Sequence, residues 1–294
     1  MSDSVRAASV ADVGASSNLR AAGIVIAAFA VFSGTDALVK LLSADLRVPQ
    51  VTFMITLAAL LLVGGRAVVT RGVDELVPRQ LGLALVRALL LAGDTLLIHY
   101  AFAALPLAEA YVLAFLSPIL VAILAVAFLG ERLSMIGWLG VILGFAGVAV
   151  ALRPAAVALN FGHVAAIGSA LLFAFSLVLL RKTRADESDS ALVATLLLVL
   201  TVTAFGVTVA TGGFTPVTPR ALALAFLAGA FLYAGHALLV RAFRTGDAAV
   251  VAPFQYSQIV WGCLYGAMLF GAPIETYTIA GGIIIIFSGW LVLK

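Results

Sequence analysis

Hydrophobic residues occur along this chain in ten blocks, separated by short polar or glycine- and proline-containing stretches. Each block approaches the ~20 residues that a helix needs to cross the hydrocarbon core of a bilayer. The predicted spans, numbered 1 to 10 in chain order, cover residues 21–43, 49–68, 79–103, 107–129, 134–153, 161–182, 190–212, 220–243, 248–270 and 275–293. The connections between them are short, so the pattern predicts an all-α integral membrane protein without an inserted soluble domain.

The chain contains a weak internal repeat. A shift of 141 positions places Ala101, Phe102, Ala108, Gly130, Gly140 and Leu152 on Ala242, Phe243, Ala249, Gly271, Gly281 and Leu293. The helix before this stretch repeats with a slip of one residue, which puts His236 at the position of Asp94. Repetition of this kind is typical of transporters that contain two homologous halves.

The basic residues predict how the halves are oriented. With the N-terminus inside, the inner segments hold twelve Lys and Arg residues and the outer loops hold three, and this bias favours cytoplasmic termini. We therefore expect a disordered cytoplasmic tail over 1–19, a first repeat over 20–153 and a second over 161–294. Five spans per repeat is an odd number, so the second repeat is inverted. The fold class is ten transmembrane helices in a 5+5 inverted-topology repeat around a central cavity.

Composition narrows the functional classes. The chain is 64% hydrophobic and 11% charged, with a mean hydropathy of +1.19, whereas soluble domains are roughly 45–50% apolar and about 25% charged. Its single cysteine, Cys263, excludes an internal disulfide, and the scattered basic residues do not predict a nucleic-acid site. We find no phosphate-binding loop, metal-ligand spacing or nucleophile motif, so no cofactor is expected. A carrier is favoured, and the alternative is a polytopic membrane enzyme acting on a lipid-soluble substrate.

Four stretches of the sequence resemble those of the drug/metabolite transporter superfamily in its EamA-type ten-helix form. They are the small-residue run from Ala101 to Tyr111, Ser117-Pro118, the stretch Phe128 to Ser134 and the glycine-spaced helix that follows. The resemblance implies an exporter or importer of small metabolites in the plasma (bacterial inner) membrane. It further suggests a YddG-like exporter of aromatic amino acids, in which spans 1, 3, 4, 6, 8 and 9 surround the cavity. The second repeat departs from the pattern, since Gly271-Ala272-Pro273 replaces Gly130-Glu131-Arg132.

Inserting an ionisable residue into the membrane costs roughly 2.5–3.5 kcal/mol of free energy, so we expect each such residue in a predicted span to have a structural or functional role. Asp36 and Lys40 of span 1 have the i, i+4 spacing of an intrahelical ion pair; alternatively, they line the pathway. Arg87 and Asp94 of span 3 share a face and form either a structural network or a ligand or proton site. Asp36, Asp94 and Lys40 are therefore the candidate coupling residues, with a proton as the candidate ion.

Span 9 carries the richest polar and aromatic pattern. Its candidate substrate-binding residues, on one helical face, are Phe254, Gln258, Trp261 and Tyr265. An aromatic stripe also suits helix packing, but the amide of Gln258 needs a polar partner that lipid does not offer. Pro253 interrupts this helix, as Pro118 interrupts span 4, so both helices are predicted to present irregular backbone to a cavity.

The remaining candidates lie on neighbouring spans. Tyr233 and His236 of span 8, Asp94 of span 3, and Tyr111 and Ser117 of span 4 are predicted to line the walls; an interhelical hydrogen bond explains His236 equally well. Glu131, just before span 5, is predicted to cap that helix. The expected partners are a small-molecule substrate such as an amino acid and the lipid bilayer, and the sequence leaves monomer and homodimer open.

Overall fold

The computed structural model describes residues 2–70, 72–105, 107–153, 159–271 and 273–294, and the regular elements within these ranges are all helical. The ten spans appear in the predicted order. Unbroken helices form spans 1 (Ser2–Leu42), 2 (Val48–Thr70), 3 (Leu81–Ala104), 5 (Met135–Leu152), 6 (Phe161–Arg181), 7 (Asp189–Ala210), 8 (Pro219–Thr245) and 10 (Thr276–Val292). A short 3-10 helix, Val73–Leu76, lies between spans 2 and 3.

Span 1 starts earlier in the structure than the sequence predicts. Its helix runs from Ser2, whereas residues 1–19 were expected to form a disordered tail. This stretch is rich in alanine and contains no proline, so the helix has no local stop signal before it reaches the hydrophobic block. The part of the helix that is apolar enough to span a membrane begins at Ser16.

Spans 4 and 9 are the broken helices, as the prolines predict. Span 4 consists of Leu107–Ala114, Ser117–Leu124 and a π-helical turn, Ala125–Leu129. Span 9 consists of Ala248–Val251, a 3-10 turn and Ser257–Phe270, and the 3-10 turn (Ala252–Tyr256) contains Pro253. Because proline cannot donate an i→i−4 hydrogen bond, each helix changes its geometry at that point. Gly130 and Gly271 end the two spans with φ of 68° and 62°, in the left-handed region that glycine enters without strain.

The packing of the helices shows the relation between the halves. Span 1 packs against span 8, and span 6 packs against span 3 in the same way when the halves are exchanged. The contact between spans 1 and 9 corresponds in the same way to the contact between spans 6 and 4. Spans 2 and 7 pack against each other, as do spans 5 and 10, so these pairs map onto themselves. The bundle is therefore an inverted repeat in which the two broken helices occupy equivalent positions.

Small residues let spans 5, 9 and 10 approach closely. A Cβ added to Gly144 would lie 2.5 Å from the ring of Tyr256, and one added to Gly281 would lie 2.5 Å from the carbonyl oxygen of Gly147. Glycines allow this backbone approach, as they do at many membrane helix interfaces. The contact fixes the 3-10 turn of span 9 against the scaffold formed by spans 5 and 10.

Candidate functional site

Span 9 is joined to span 1 by two hydrogen bonds at a single residue. The Gln258 side chain donates from Nε2 to Asp36 Oδ2 at 3.0 Å, and Ser33 Oγ donates to the Gln258 carbonyl oxygen at 3.2 Å. The predicted need of the Gln258 amide for a polar partner is thus met by a carboxylate. Asp36 is nevertheless exposed, so the contact lies at an accessible surface between two helices.

Asp36 and Lys40 do not form the predicted intrahelical ion pair. Asp36 is held by Gln258, while Lys40 Nζ lies 4.4 Å from the centroid of the Phe270 ring in span 9. A cation over an aromatic face is attracted by the ring quadrupole. The Asp36 and Lys40 side chains therefore both face span 9, and both remain exposed.

Two aromatic side chains lie against span 1 at Gly34, two residues before Asp36. Gly34 allows both to approach: a Cβ at this position would lie 2.8 Å from the Phe231 ring and 3.2 Å from the Tyr265 hydroxyl. Trp261 is half-buried, one turn beyond Gln258, and its buried Nε1 lacks a hydrogen-bond partner among the described residues. We call this group, Asp36, Gln258, Trp261, Tyr265 and Phe231, the acidic aromatic cluster.

Phe254 does not join this cluster, although the sequence placed it on the same helical face. Its ring lies against Gly289 of span 10, where an added Cβ would be 2.9 Å away. The reason is the 3-10 turn, Ala252–Tyr256, which advances about 3.0 residues per turn rather than 3.6. The face that runs from Gln258 to Tyr265 is therefore not continued back to Phe254.

Tyr111, a predicted residue of span 4, lies in an aromatic stack that is close enough to the cluster for the charge of Asp36 to act on its ring. Tyr111 stacks on Phe115 with 6.3 Å between ring centroids, and Phe115 approaches Tyr256 of span 9 at 6.2 Å. Ser117 is buried at the break of the helix. This stack joins the two broken helices, whereas the acidic aromatic cluster joins spans 1, 8 and 9.

Asp94 and Arg87 do not meet, although they share a face of span 3. Asp94 Oδ1 accepts a hydrogen bond from Ser169 Oγ of span 6 at 2.5 Å. Arg87 is 1% exposed, and its Nε and Nη2 atoms lack partners among the described residues. Lys40, the third candidate coupling residue, faces Phe270. The side chain of His99 lies outside the described residues.

Span 8 places its two predicted residues near the face at which span 1 begins, the N-terminal face. The His236 ring packs edge-on against Phe32, with 5.0 Å between centroids, and its buried Nδ1 lacks a described partner. Tyr233 accepts a hydrogen bond from Arg66 Nη1 at 2.8 Å. A cleft of about 740 Å³ includes Arg66, Tyr233 and Ala237 in its lining.

Charged side chains connect the helix ends at the N-terminal face. Arg181 at the end of span 6 donates to Glu131 Oε1 at 3.4 Å and to Asp247 Oδ1 at 3.0 Å. Asn18 of span 1 accepts from the Asp247 backbone N–H at 2.8 Å. We call Glu131, Arg181, Asp247 and Asn18 the N-face network, because it joins span 1 and span 6 to the loops before spans 5 and 9.

Glu131 does not cap span 5, which corrects the sequence prediction. Ser134 performs that role, since its Oγ accepts from the Gly137 N–H at 2.9 Å. Gly130 turns the chain, so Glu131 lies outside the first turn and reaches across to span 9, where its Oε2 accepts from the Ala249 N–H at 2.8 Å. Glu131 thus holds the start of the broken helix in the other repeat.

The N-face network is only partly repeated in the sequence of the opposite face. A shift of 141 positions places Arg181 on Lys40, while Asp247 falls on Pro106 and Glu131 on Ala272. The basic residue is retained and both acids are replaced. The two ends of the pseudosymmetric bundle therefore differ in the charges available to hold them closed.

A second set of contacts holds the loop between spans 6 and 7 against spans 3 and 8. The Glu187 carboxylate accepts from the backbone N–H groups of Arg79 and Gln80 at 3.0 and 2.8 Å, at the start of span 3. Arg244 of span 8 pairs with Asp189. The hydrogen bond from Arg79 lowers the pKa of the exposed Asp186. These contacts keep spans 3, 7 and 8 together at the N-terminal face.

Several residues of these sites were missed by the sequence analysis. Ser33, Gly34, Phe231 and Ser169 are common types in membrane helices and carry no charge. The adjacent Ser33-Gly34 pair, two residues before Asp36, was the available signal for a close helix contact. Phe231 and Ser169 had no such signal, because only packing decides which aromatic or hydroxyl residue meets a partner.

Comparison with known proteins identifies the family to which the chain belongs. The model of the EamA-like transporter family matches twice, over residues 19–153 and 160–294. A protein of known crystal structure is 21% identical and aligns with a TM-score of 0.80, covering 92% of this chain and 96% of the other. That likeness supports the ten-helix fold.

Curated relatives are membrane transporters. The chain is 28% identical over 281 residues to the pseudopaline exporter CntI of Pseudomonas aeruginosa, covering 92% of this chain and 95% of the relative. It is 29% identical over 192 residues to a riboflavin transporter of Rhizobium johnstonii, with 65% and 63% covered. It is also 29% identical to an S-adenosylmethionine uptake transporter of Rickettsia bellii, with 69% of each chain covered.

Proposed function

Because the chain belongs to the EamA-like transporter family, we propose that it exports small amphipathic metabolites, chiefly aromatic amino acids, across the cytoplasmic membrane by alternating access. The family and its named relatives are transporters, so the enzyme alternative is excluded. The observation that carries the choice of substrate is the acidic aromatic cluster. There an exposed carboxylate, Asp36, is positioned by Gln258 beside aromatic side chains.

The cluster offers complementary groups for an amino acid. The second carboxylate oxygen of Asp36 is not engaged by any described residue and suits the ammonium group of the substrate. Trp261, Tyr265 and Phe231 provide apolar surface for its side chain, and the unpartnered indole N–H of Trp261 offers a further donor. Sites of this kind pair a largely apolar wall with a few fixed polar groups.

The difference between the two faces supports alternating access. In the described conformation the N-face network joins spans 1 and 6 to the loops before spans 5 and 9, while Asp36 and Lys40 toward the opposite face are exposed. Breaking the network would free the N-terminal face, and rocking of the two halves would then exchange access. The proposed export direction rests on the extended similarity to the pseudopaline exporter.

We propose further that the N-terminal face is cytoplasmic, as the excess of basic residues in its segments indicates. Alkaline phosphatase, which is active only in the periplasm, should be inactive when fused after Lys294. The same reporter inserted after Gly213, in the loop between spans 7 and 8, should be active. The reverse pattern would contradict the orientation and the proposed direction together.

The substrate proposal predicts a selective effect of Trp261. Purified protein in liposomes should move L-phenylalanine and L-tryptophan, and Trp261→Ala should slow their flux roughly ten- to hundredfold, while L-leucine flux falls less. The reason is the loss of apolar surface against the substrate ring, since burying such a side chain contributes roughly 1.5–3 kcal/mol. Gln258→Ala should slow all amino acids, because it removes the group that positions Asp36.

Trp290→Ala is the matched control. Trp290 is 51% exposed on span 10 and lies outside the cluster, so this variant should transport like the parent. Equal flux of every solute through the parent and both cluster variants would show that the aromatic side chains serve packing alone. In intact cells, overproduction of the parent should raise extracellular aromatic amino acids, and a raised intracellular level instead would contradict export.

A further inference from the structure

Arg87 is a buried charge that the proposed site does not use. Its side chain is 1% exposed, and its Nε and Nη2 atoms are buried without a hydrogen-bond partner among the described residues. Most buried polar atoms are paired, and a buried charge normally has an opposite charge beside it. In the described part of the chain, these atoms of Arg87 lack a hydrogen-bond partner and its charge lacks an opposite charge, so we expect a ligand there.

The two unpartnered atoms of Arg87 have a specific geometry. The Nε–H and one Nη2–H point in the same direction along one edge of the planar guanidinium group. Two parallel N–H groups match the two oxygens of a carboxylate, which is the bidentate arrangement common in arginine recognition. A lysine would offer a point charge without this fork.

The acid nearest to Arg87 in its own helix is not its partner. Asp94 lies seven residues further along span 3, about 10 Å along the helix axis, and its carboxylate accepts from Ser169 of span 6. The Nε and Nη2 edge of Arg87 is therefore not paired with Asp94. It is available to a group that enters from elsewhere.

His236 of span 8 provides a second unpartnered atom. The charge of Arg87 acts on the His236 ring, and its buried Nδ1 also lacks a described partner. The cleft from the N-terminal face reaches Tyr233 and Ala237, which flank His236 on span 8. The cleft is lined by arginines, including Arg66 and Arg241, and by acids, including Glu187 and Asp189.

We propose that Arg87 binds the carboxylate of the transported solute, with His236 contributing Nδ1, at a subsite in the half of the pathway nearer the N-terminal face. The inference rests on the proposed function and deepens it: the solute carries a carboxylate, and an exported molecule meets Arg87 before it reaches Asp36. Phe32 packs on His236, and span 1 thereby connects this subsite to the acidic aromatic cluster one turn further along.

The test compares an acid with its amide in protein reconstituted in liposomes. The parent should transport L-phenylalanine at least tenfold faster than L-phenylalaninamide, and only the acid should raise its unfolding temperature. Arg87→Met and Arg87→Lys should each reduce phenylalanine flux at least tenfold and leave the slow flux of the amide unchanged. Arg220→Gln, an exposed arginine at the start of span 8, is the control and should transport like the parent.

Thermal unfolding separates this role from a structural one. Arg87→Met removes an unpaired buried charge, so the ligand-free variant should unfold at the parent's temperature or above it. A variant that folds and transports phenylalanine at the parent rate would overturn the proposal. If the variants do not fold, the parent decides the question, because equal transport of acid and amide rejects the carboxylate subsite.

The outcome also distinguishes this inference from the proposed function. Equal flux of phenylalanine and its amide leaves the aromatic carrier intact and removes the role of Arg87. Transport of non-aromatic carboxylates but not of their amides, with loss in Arg87→Met, supports the subsite and rejects the aromatic preference. Transport restricted to neutral or cationic solutes rejects both.

Discussion

Asp36→Asn should lower the initial rate of phenylalanine counterflow in liposomes at least about tenfold. The variant keeps an oxygen that accepts the Gln258 hydrogen bond, so the contact between spans 1 and 9 is preserved. It loses the charge that attracts the substrate ammonium group. Hydrogen bonds to charged groups contribute roughly 1.5–3 kcal/mol, and about 1.4 kcal/mol corresponds to a factor of ten.

The control for this variant is Asp45→Asn. Asp45 is an exposed acid just beyond the end of span 1, outside the acidic aromatic cluster, and its replacement should leave the rate unchanged. The loss in Asp36→Asn should shrink when the substrate is 3-phenylpropionate, which lacks the ammonium group. An equal loss for both solutes would mean that Asp36 does not contact that group.

The same assay examines the two acids as candidate proton carriers. Asp94→Asn removes a charge, while its amide oxygen can still accept from Ser169, so the link between spans 3 and 6 should survive. Flux that depends on pH in the parent and loses this dependence in one variant assigns coupling to that acid. Flux that is independent of pH in the parent favours facilitated transport.

Arg181→Gln should open the N-terminal face. The change removes the ion pairs with Glu131 and Asp247, of which Glu131 is mostly buried, with 9% of its side chain exposed. In the proposed mechanism two charge-assisted contacts hold spans 1 and 6 to the loops before spans 5 and 9, and losing them should shift the equilibrium toward the open state roughly tenfold or more. Net flux should fall, because the carrier returns less readily to the state in which the opposite face is accessible.

Maleimide labelling measures this opening directly. Ala248, the first residue of span 9, is fully buried behind the network, so Ala248→Cys on a Cys263→Ser background reports access from the N-terminal face. Labelling should be slow in the parent background and about tenfold faster with Arg181→Gln. Arg184→Gln, which loses only the exposed pair with Asp186, should label at the parent rate. Identical rates in all three proteins would show that the network does not act as a gate.

Local sequence was enough to predict the architecture. Hydropathy and length located the ten spans, because a bilayer demands long apolar helices whatever their neighbours. Pro118 and Pro253 located the breaks, since a missing N–H acts on its own helix. The repeat aligned Gly130 with Gly271, and both glycines adopt the left-handed conformation at the ends of the two broken helices.

The site was predicted only in part, because helical spacing gives the face of a residue but not its partner. Gln258 and Asp36 were both candidates, yet their hydrogen bond joins residues 222 positions apart. The i, i+4 spacing of Asp36 and Lys40 favoured a local pair that span 9 prevents by offering partners to both. The uniform period assumed for span 9 failed at Phe254, where the 3-10 turn changes the rotation per residue.

The sequence by itself therefore determined the membrane class, the order of the helices, the duplication and the position of the breaks, because local composition and repetition along the chain indicate them without knowledge of which helices pack together. The tertiary structure decided that Glu131 holds the start of span 9, that Asp94 meets Ser169, and that Arg87 is left without a partner among the described residues. These outcomes depend on which helices become neighbours. Which helices become neighbours follows from the packing of the two inverted halves. A side chain then contacts the group that lies at the same depth on the neighbouring helix.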